Sequence, residues 1–169
     1  AAMHMQIRIM QPKDNVAMNH ILQACLRDAH LDKPGTAYFD PQLDELAEYY
    51  EELPHAAYWV AVNEQKEVVG GCGIGPLDRT TGICELQKLY IDKQARGQGL
   101  SKKLLEKSAT YARQDGYQKM YIVTDSRLPI ANKLYQKYQF EQLKQPLPQD
   151  LHPGCDTWYF RDLDLTVGK

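Results

Sequence analysis

The chain has 169 residues, of which 43% are hydrophobic and 25% charged, and its formal net charge at pH 7 is −2. This is the composition of one folded domain, and it argues against a disordered or fibrous protein. The apolar run 56–62 is far shorter than the roughly 20 residues that a membrane-spanning helix needs, so no membrane partner is expected. Ala1 and Ala2 precede Met3, and we expect them to be a remnant of expression, with the natural start at Met3 or Met5.

Four cysteines and five histidines are present, and their spacing argues against two kinds of site. The cysteines form no C-x-x-C pair, so we expect reduced thiols in a cytoplasmic protein rather than a disulfide framework. The histidines are scattered, with no H-E-x-x-H motif and no Cys/His cluster, so no metal is expected. No basic tail or basic–aromatic cluster indicates a nucleic-acid partner.

The first third of the chain predicts one strand and two helices. Residues 6–10 have the pattern of a short strand, and helical spacing of apolar residues follows Asp14, a typical N-cap residue, as far as Ala29. A second helix is predicted to start at Asp40, because the proline at position 41 suits a first helical turn, and to end at Pro54.

The rest of the chain alternates between strands and two further helices. One helix is predicted from Gly99 to Gly116, and another begins at Pro129. Strands are predicted at residues 57–62, 67–75, 82–91, 119–124, 140–143 and 157–162. The order β-α-α-β-β-β-α-β-α-β-β indicates a single α/β domain over residues 1–169, with a mixed central sheet flanked by about four helices.

The small net charge conceals an uneven distribution. Residues 28–67 contain ten acidic and two basic side chains, a local charge of −8. Residues 88–119 contain eight basic and three acidic side chains, a local charge of +5. Such a division predicts two partners of opposite charge.

The segment QARGQG at residues 94–99 lies between a predicted strand and a predicted helix. Glycines let the backbone approach a ligand closely, and the first N–H groups of a helix point outward at its positive end. Together they favour a phosphate or pyrophosphate site, to which Arg96, Lys102 and Lys103 add positive charge. The alternative is a plain helix start after a flexible loop.

Two other phosphate-binding motifs are not supported. A Walker A loop needs G-K-[ST], and the only Gly-Lys pair is at the end of the chain. The segment GGCGIG at residues 70–75 does not fit G-x-G-x-x-G and is followed by Pro76 where a helix should begin. We interpret it as a glycine-rich strand beside a ligand or another backbone.

The strand and glycine segment resemble the GNAT superfamily of acyl-CoA-dependent N-acetyltransferases. Gln94, Arg96, Gly97 and Gly99 match the family's Q/R-x-x-G-x-G/A motif, and Leu89-Tyr90-Ile91 matches the strand before it. The segment ANKLYQKYQF, which begins at residue 131, resembles the later N-x-x-x-Y-x-x-x-G-F segment. There the spacing from Asn132 to Tyr135 is three, and Gln139 replaces the usual glycine. The element order fits the family over nearly the whole chain.

The resemblance implies acetyl-CoA as the acyl donor. Backbone groups of Leu89 and Ile91 would pair with the pantetheine arm, and the N–H of Leu89 would polarise the thioester carbonyl. Backbone N–H groups of residues 96–101 would hold the pyrophosphate, and Asn132 would contact the pantetheine region. The implied donor-binding residues are Leu89, Tyr90, Ile91, Gln94, Arg96, Gly97, Gln98, Gly99, Leu100, Ser101, Asn132 and Tyr135.

Acetyl transfer to an amine needs a base for the amine and an acid for the leaving thiolate. The family counterpart of Glu85 is often proposed as the base. Its even spacing from Leu89 and Ile91 predicts the same face of the strand unless a bulge intervenes, about 13 Å from Leu89, so a water relay is expected. The alternative is a strand-end carboxylate satisfied by a lysine. Tyr135 is the predicted acid, with a core tyrosine as the alternative, whereas Cys72 and Cys84 are expected to be small buried residues rather than nucleophiles.

The acceptor pocket of this family usually forms near the first two helices. Tyr38 and Phe39 offer aromatic surface there, beside acidic side chains that would suit a cationic amine. These acids are Asp40, Asp44, Glu45 and Glu48, and a solvated acidic helix face is the alternative. The sequence thus predicts direct acetyl transfer to a primary amine of a small molecule or peptide. Two alternatives stay open, a CoA-binding sensor without turnover and a transferase of a longer acyl group. A homodimer is a family-level expectation.

Overall fold

The computed structural model describes residues 4–164, with the side chains of residues 129–131 excepted. The expected start at Met3 lies outside the described residues. Seven strands of the described chain form one sheet in the order β1-β2-β3-β4-β5-β7-β6. Their bounds are β1 Gln6–Ile9, β2 Ala57–Val62, β3 Val68–Asp78, β4 Ile83–Ile91, β5 Lys119–Thr124, β6 Glu141–Leu143 and β7 Thr157–Asp162. β4 and β5 are parallel, and the other neighbouring pairs are antiparallel.

Four α-helices of the described chain flank this sheet, which confirms the predicted α/β class and element order. They are α1 Asn15–Asp28, α2 Leu46–Glu52, α3 Leu100–Gln114 and α4 Pro129–Lys137. Short 3₁₀ turns lie at Pro12–Asp14, Ala37–Phe39, Leu43–Glu45 and Lys93–Ala95.

The two faces of the sheet follow the alternation of side chains along β2. Ala57, Trp59 and Ala61 pack in the same cluster as the buried side of α3. Tyr58 and Val60 point the other way, into a cluster with α1 and α2. Because successive side chains of a strand point to opposite faces, one apolar strand serves both layers of the core.

The second helix is shorter than predicted, and its predicted start at Asp40 is wrong. The α-helix begins only at Leu46, after the 3₁₀ turn Leu43–Glu45. Asp40 instead accepts the backbone N–H of Gln42 at 3.1 Å and forms an ion pair with Lys88 at 3.3 Å. An aspartate that bonds its own backbone two residues on favours a turn over a helix, which accounts for the difference.

The glycine-rich strand β3 leaves room for an aromatic ring. A Cβ atom at Gly71 or Gly73 would lie 2.6 Å or 2.5 Å from ring atoms of Tyr58, and such contacts are too short to be accommodated. Tyr58 sits directly opposite Gly73 in the β2–β3 pairing and is 1% exposed. We expected a ligand or another backbone beside this strand, and the group nearest to Gly71 and Gly73 is the buried side-chain ring of Tyr58.

Candidate active site

A gap between two neighbouring strands marks the centre of the sheet. β4 and β5 pair at four positions, of which the last joins Leu86 to Ile122. β4 then runs on to Ile91 and β5 to Thr124, with no further pairing between these two described strands. The last five residues of β4 therefore have no strand partner on this side, and an extended ligand can pair with such an edge.

A β-bulge interrupts β4 at the start of this gap. Gly71 pairs with Tyr90 and Gly73 with Gln87, so one residue of β3 opposes both Lys88 and Leu89. Lys88 adopts a φ of +51°, in the left-handed region that a lysine rarely enters. The hydroxyl of Tyr58, on β2, donates a 2.7 Å hydrogen bond to the Lys88 carbonyl, and this bond supports the bulge.

The bulge makes the predicted placement of Glu85 wrong. Leu89 and Ile91 pack with the α3 cluster, on the same face as Leu86. An extra residue in a strand reverses the alternation of its side chains, so Glu85 points to the other face. Even spacing predicted a shared face, and the inserted residue is the physical reason that this prediction fails.

A cleft of about 570 Å³ extends from the end of β4 to the start of α3 and across to α4. Eight predicted donor-binding residues line it, and its remaining walls come from α1, α4 and the loop before α4. The eight residues are Leu89, Tyr90, Ile91, Arg96, Gly97, Gly99, Leu100 and Ser101. The cleft therefore connects the unpaired edge of β4 with the N-terminus of α3.

Two glycines shape the entrance to α3. Gly97 has a φ of +80°, and Gly99, the N-cap residue, has a φ of +76°. No described heavy atom lies within 4 Å of a Cβ built at either position, so the space beside them is open. The left-handed backbone favours glycine, and the outward N–H groups of the first helical turn make an anion site.

The cleft is bordered mainly by positive charge. Five basic residues line it, against one acidic residue, Asp28. The basic residues are Arg96, Lys102, Arg127, Lys133 and Lys137. Sequence reasoning missed the last three, although Lys133 and Lys137 are one helical turn apart on the predicted last helix and could have been found by that spacing.

The guanidinium of Arg96 is directed back towards the fold. Its Nε donates to the Ile91 carbonyl at 3.3 Å, and its Nη2 donates to the Cys25 sulfur at 3.4 Å. The Cys25 thiol donates to the same carbonyl at 3.3 Å. These bonds join the end of β4 to α1 and to the loop before α3, so Arg96 helps to shape the cleft.

The other four predicted donor-binding residues do not line the cleft in this structure. Gln94 and Gln98 are exposed on the loop before α3. The side-chain amide of Asn132 donates to the backbone carbonyls of Asp125 and Leu128, at 3.2 and 2.8 Å, and accepts the Tyr159 hydroxyl at 2.7 Å. These bonds hold the start of α4 against β7.

Tyr135, the fourth of these residues, is 4% exposed and packs against the rings of Phe140 and Tyr159. Burial raises the pKa of its phenol above the ordinary value, so the group carries its proton at neutral pH. Both the acid role and the core role remain compatible with this position, and the acid role stays a prediction.

Glu85 has a partner that the sequence did not reveal. It is 5% exposed, and its Oε1 lies 2.9 Å from Nε2 of His152, in the loop between β6 and β7. The hydrogen bond to Glu85 raises the pKa of His152 above the ordinary value, against the opposing effect of partial burial. The alternative expected for this carboxylate is a lysine partner, and in the structure its partner is a histidine.

The predicted acceptor residues lie on the loop between α1 and α2. Tyr38 accepts a hydrogen bond from Arg27 at 3.3 Å, and Phe39 packs edge-on against it with 57% of its surface exposed. Of the nearby acids, Asp44 and Glu48 accept hydrogen bonds from asparagines of α1, so both help to hold α2 in place. The substrate role of Tyr38 and Phe39 stays a prediction.

The thiols on the central strands are unsuited to nucleophilic attack. Cys72 and Cys84 are fully buried, and burial raises the pKa of Cys72 to about 12 and that of Cys84 further above its ordinary value. Since the thiolate is the reactive form, both behave as small apolar residues. Across the part of the chain that the structure describes, no group of three or more His, Cys, Asp or Glu side chains could hold a metal ion, and none of the helices is long and apolar enough to cross a membrane.

Solved acetyltransferases share this fold. The GNAT-family acetyltransferase of Staphylococcus aureus Mu50 superposes with a TM-score of 0.84 at 20% identity, over 95% of this chain and 99% of that chain. The acetyltransferase yncA of Salmonella typhimurium, solved with acetyl-CoA, gives a TM-score of 0.73 at 21% identity, over 98% of both chains. The protein is thus an α/β domain with the GNAT acetyltransferase fold.

The sequence pattern of the Acetyltransferase (GNAT) family matches residues 16–140, and the chain belongs to this family. The uncharacterized N-acetyltransferase YjgM of Escherichia coli K12 is 38% identical over 160 residues, 93% of this chain and 94% of its own length. Human N-acetyltransferase 8B is 32% identical over 120 residues, 67% of this chain and 52% of its own length. These findings confirm the resemblance drawn from the glycine segment and identify the protein as an N-acetyltransferase enzyme.

Proposed function

We propose that the protein transfers the acetyl group of acetyl-CoA directly to a primary amine of a small molecule or peptide. The observation that carries this proposal is the continuous cleft from the unpaired edge of β4 to the N-terminus of α3. A donor with an extended amide arm and a pyrophosphate presents groups that match these two ends. The related fold solved with acetyl-CoA supports the same donor.

The residues present fit such a donor. Backbone groups of Leu89 and Ile91 would meet the amide arm, and the N–H groups from Arg96 to Ser101 would meet the pyrophosphate. The open space beside Gly97 and Gly99 supports this fit, because a side chain there would project into the cleft entrance. When bound, acetyl-CoA supplies an activated thioester carbonyl to the amine.

The chemistry needs two further roles from this chain. The N–H of Leu89, at the bulge, would stabilise the negative charge that develops on the thioester oxygen. Tyr135 would protonate the leaving sulfur, and the burial that raises its pKa keeps the phenol protonated at neutral pH before the reaction. Asn132 would act indirectly, because its hydrogen bonds hold the start of α4 beside the cleft.

The acceptor would approach from the face of the sheet that carries α1 and α2. On that face, Asp40 pairs with Lys88 and Glu85 with His152, and the two carboxylates would favour an ammonium group. The aromatic pair Tyr38 and Phe39 lies on the same side, and we retain it as part of the proposed acceptor surface.

Calorimetric titration with CoA tests the donor half of the proposal. We expect saturable binding by the native protein and a loss of at least tenfold in Gly97→Glu, because the new carboxylate would oppose the pyrophosphate. Gly116→Glu is the matched control, since Gly116 has a φ of +91° and open space around its Cβ but lies past the C-terminal end of α3. Equal losses in the two variants would assign the effect to backbone strain.

Release of free thiol from acetyl-CoA in the presence of amines tests the transfer itself. The acceptor panel comprises amino acids, polyamines, aminoglycosides and peptides, and a dependence of thiol release on one of these amines is expected. Tight CoA binding without turnover by any amine would contradict transfer and favour a CoA-binding sensor. Faster turnover with propionyl- or butyryl-CoA than with acetyl-CoA would instead favour a longer acyl donor.

A further inference from the structure

The loop between β6 and β7 contacts β3, β4 and β5 near the point where the pairing of β4 with β5 ends. Gln149 donates to Asp78 at 3.0 Å, and the Tyr121 hydroxyl donates to Asp150 at 2.5 Å. His152, two residues further, reaches Glu85 on β4. Glu85 and Tyr121 are neighbours in the last part of the β4–β5 pairing, so the loop places His152 where the two strands begin to separate.

The contact with Glu85 determines which nitrogen of His152 can accept a proton. A carboxylate only accepts hydrogen bonds, so Nε2 carries the hydrogen that lies between the two groups. In a neutral imidazole the other nitrogen, Nδ1, is then the acceptor. No hydrogen bond to Nδ1 is recorded from any group in the described residues, and the side chain of His152 keeps 48% of its surface exposed.

We propose that His152 is the general base for the acceptor amine and that Glu85 is the positioning residue that orients it. The proposal rests on the proposed acetyl transfer, and it changes the role of the carboxylate on β4. Glu85 is nearly buried and already bonded, whereas the side chain of His152 keeps 48% of its surface exposed. A carboxylate that fixes a histidine tautomer is a known way to prepare a base.

In the proposed reaction, His152 takes one proton from the acceptor amine. An amine with a pKa near that of lysine, about 10.4, arrives as an ammonium at neutral pH. Nδ1 takes one proton and passes it to solvent, and the freed nitrogen lone pair then forms the bond to the thioester carbonyl carbon. As the carbon–sulfur bond breaks, Tyr135 protonates the sulfur and regains a proton from the new amide nitrogen. One proton is released overall, and the products are the amide and free CoA.

The charges around the imidazole suit this role. Glu85 and Asp150 raise the pKa of His152, and Lys88 on the bulge lowers it. The Asp150 carboxylate also accepts the backbone N–H of His152 at 2.6 Å. Asp40, which pairs with Lys88, adds a further carboxylate on this side, and burial raises the pKa values of Tyr50, Tyr121 and Cys155, so these three groups are neutral near pH 7. A base whose pKa moves towards that of the amine takes its proton more readily.

Nuclear magnetic resonance of the histidine rings tests the tautomer without any acceptor. In protein labelled with ¹⁵N-histidine, we expect His152 to carry its proton on Nε2 when neutral. We expect Glu85→Gln to lower its pKa, because the favourable charge is removed while the amide retains the size of the side chain. A proton on Nδ1 in the native protein, or a pKa that is unchanged in Glu85→Gln, would overturn the proposal.

Kinetics test the base itself, with the amine that supports thiol release. His152→Gln keeps an N–H that can meet Glu85 but lacks a basic nitrogen, and we expect kcat at pH 7 to fall about 10²- to 10⁴-fold with CoA affinity unchanged. The loss should shrink as the pH rises towards the pKa of the amine, because free amine then needs no base. His55→Gln is the matched control, since His55 also pairs with a carboxylate, that of Asp115 at 3.0 Å, and is 45% exposed, but this pair lies at the C-terminal end of α3 rather than at the end of the β4–β5 pairing.

The outcomes separate this proposal from the one it rests on. A loss in His152→Gln that is the same at every pH, or smaller than threefold at pH 7, would overturn the base role while leaving the transferase intact. Absence of turnover in the native protein with every amine would overturn the proposed transfer, and the base role with it. Retained CoA binding in His152→Gln, measured by calorimetry, is the expected sign that the donor cleft is undisturbed.

Discussion

Replacing Gly73 by alanine would place a methyl group between two strands where the Tyr58 ring now lies. The new Cβ would be 2.5 Å from Cδ2 of Tyr58, 2.9 Å from the Ala57 carbonyl oxygen and 3.2 Å from Cε1 of Tyr50. The first two contacts are shorter than van der Waals separation, and the second involves backbone that cannot rotate away. The ring and the β2–β3 pairing must both shift to accommodate it.

The expected cost follows from this overpacking. Inserting a methyl group into a packed core costs about 1–3 kcal/mol, and alanine regains about 0.5–1 kcal/mol through its lower conformational freedom in the unfolded chain. Because two of the contacts are shorter than 3.0 Å, the upper part of the overpacking range applies, about 2–3 kcal/mol, and we expect the free energy of unfolding to fall by about 1–2 kcal/mol in Gly73→Ala. At about 2–4 °C per kcal/mol for a chain of this size, the melting temperature should fall by roughly 2–8 °C.

Urea unfolding followed by circular dichroism measures this loss, and Gly75→Ala is its control. Gly75 lies on the same strand and face, but the nearest atoms to its Cβ belong to the flexible amide of Gln87, at 3.1–3.4 Å. We expect Gly75→Ala to cost less than about 1 kcal/mol. The Tyr58 hydroxyl also braces the bulge, so Gly73→Ala should weaken CoA binding as well.

A double-mutant cycle with Tyr58→Leu supplies the refuting result. Without the ring, alanine at position 73 should cost less than half of what it costs in the native background, with the remainder due to the Ala57 carbonyl. An equal cost in both backgrounds would show that contact with Tyr58 is not the reason for glycine at this position.

Two further predictions concern single side chains. Burial opposes ionisation of Asp14, but two hydrogen bonds from Arg8, at 2.7 and 3.0 Å, and one from the Gln11 N–H lower the pKa of its carboxyl overall. Asp14→Asn should therefore lower the free energy of unfolding by about 1.5–3 kcal/mol above pH 4. The difference from the native protein should shrink as the pH falls through the lowered pKa. A constant difference down to pH 2, measured by acid-dependent unfolding, would contradict this. Tyr135→Phe should lower kcat for thiol release about 10²-fold with unchanged CoA affinity. The control Tyr117→Phe removes a hydroxyl bonded to the His55 carbonyl and should not lower kcat. Unchanged turnover in Tyr135→Phe would leave that residue a core tyrosine.

Local patterns in the sequence were sufficient for most of the fold. β5 and β7 have the predicted bounds, and α3 begins directly after the predicted Gly99. Apolar periodicity and glycine positions are local signals, and the backbone at Gly97 and Gly99 is left-handed, a conformation that glycine adopts readily. Eight of the twelve predicted donor-binding residues line the cleft for the same reason, because most of them lie close together in the sequence, at the end of one strand and the start of one helix.

The proposed acid–base part of the site depends on features that local patterns do not carry. The residue types around Lys88 do not indicate a bulge, because lysine rarely adopts a positive φ. Here a hydrogen bond from Tyr58, on another strand, supports that backbone. One inserted residue was enough to move Glu85 to the opposite face. His152 lies 67 residues further along the chain, in a loop without regular spacing, so only the folded loop reveals that it meets Glu85.

The four paired positions between β4 and β5 divide the sheet into two half-sheets, β1–β4 and β5–β7–β6, which meet along a short seam. Glu85 belongs to the first half-sheet, and His152 belongs to a loop of the second. Their 2.9 Å contact therefore spans the seam beside the place where the strands diverge. Gln149, in the same loop, also bonds Asp78 on β3, so the loop of the second half-sheet is fastened to the first at two points, and these contacts oppose a wider separation of the central strands.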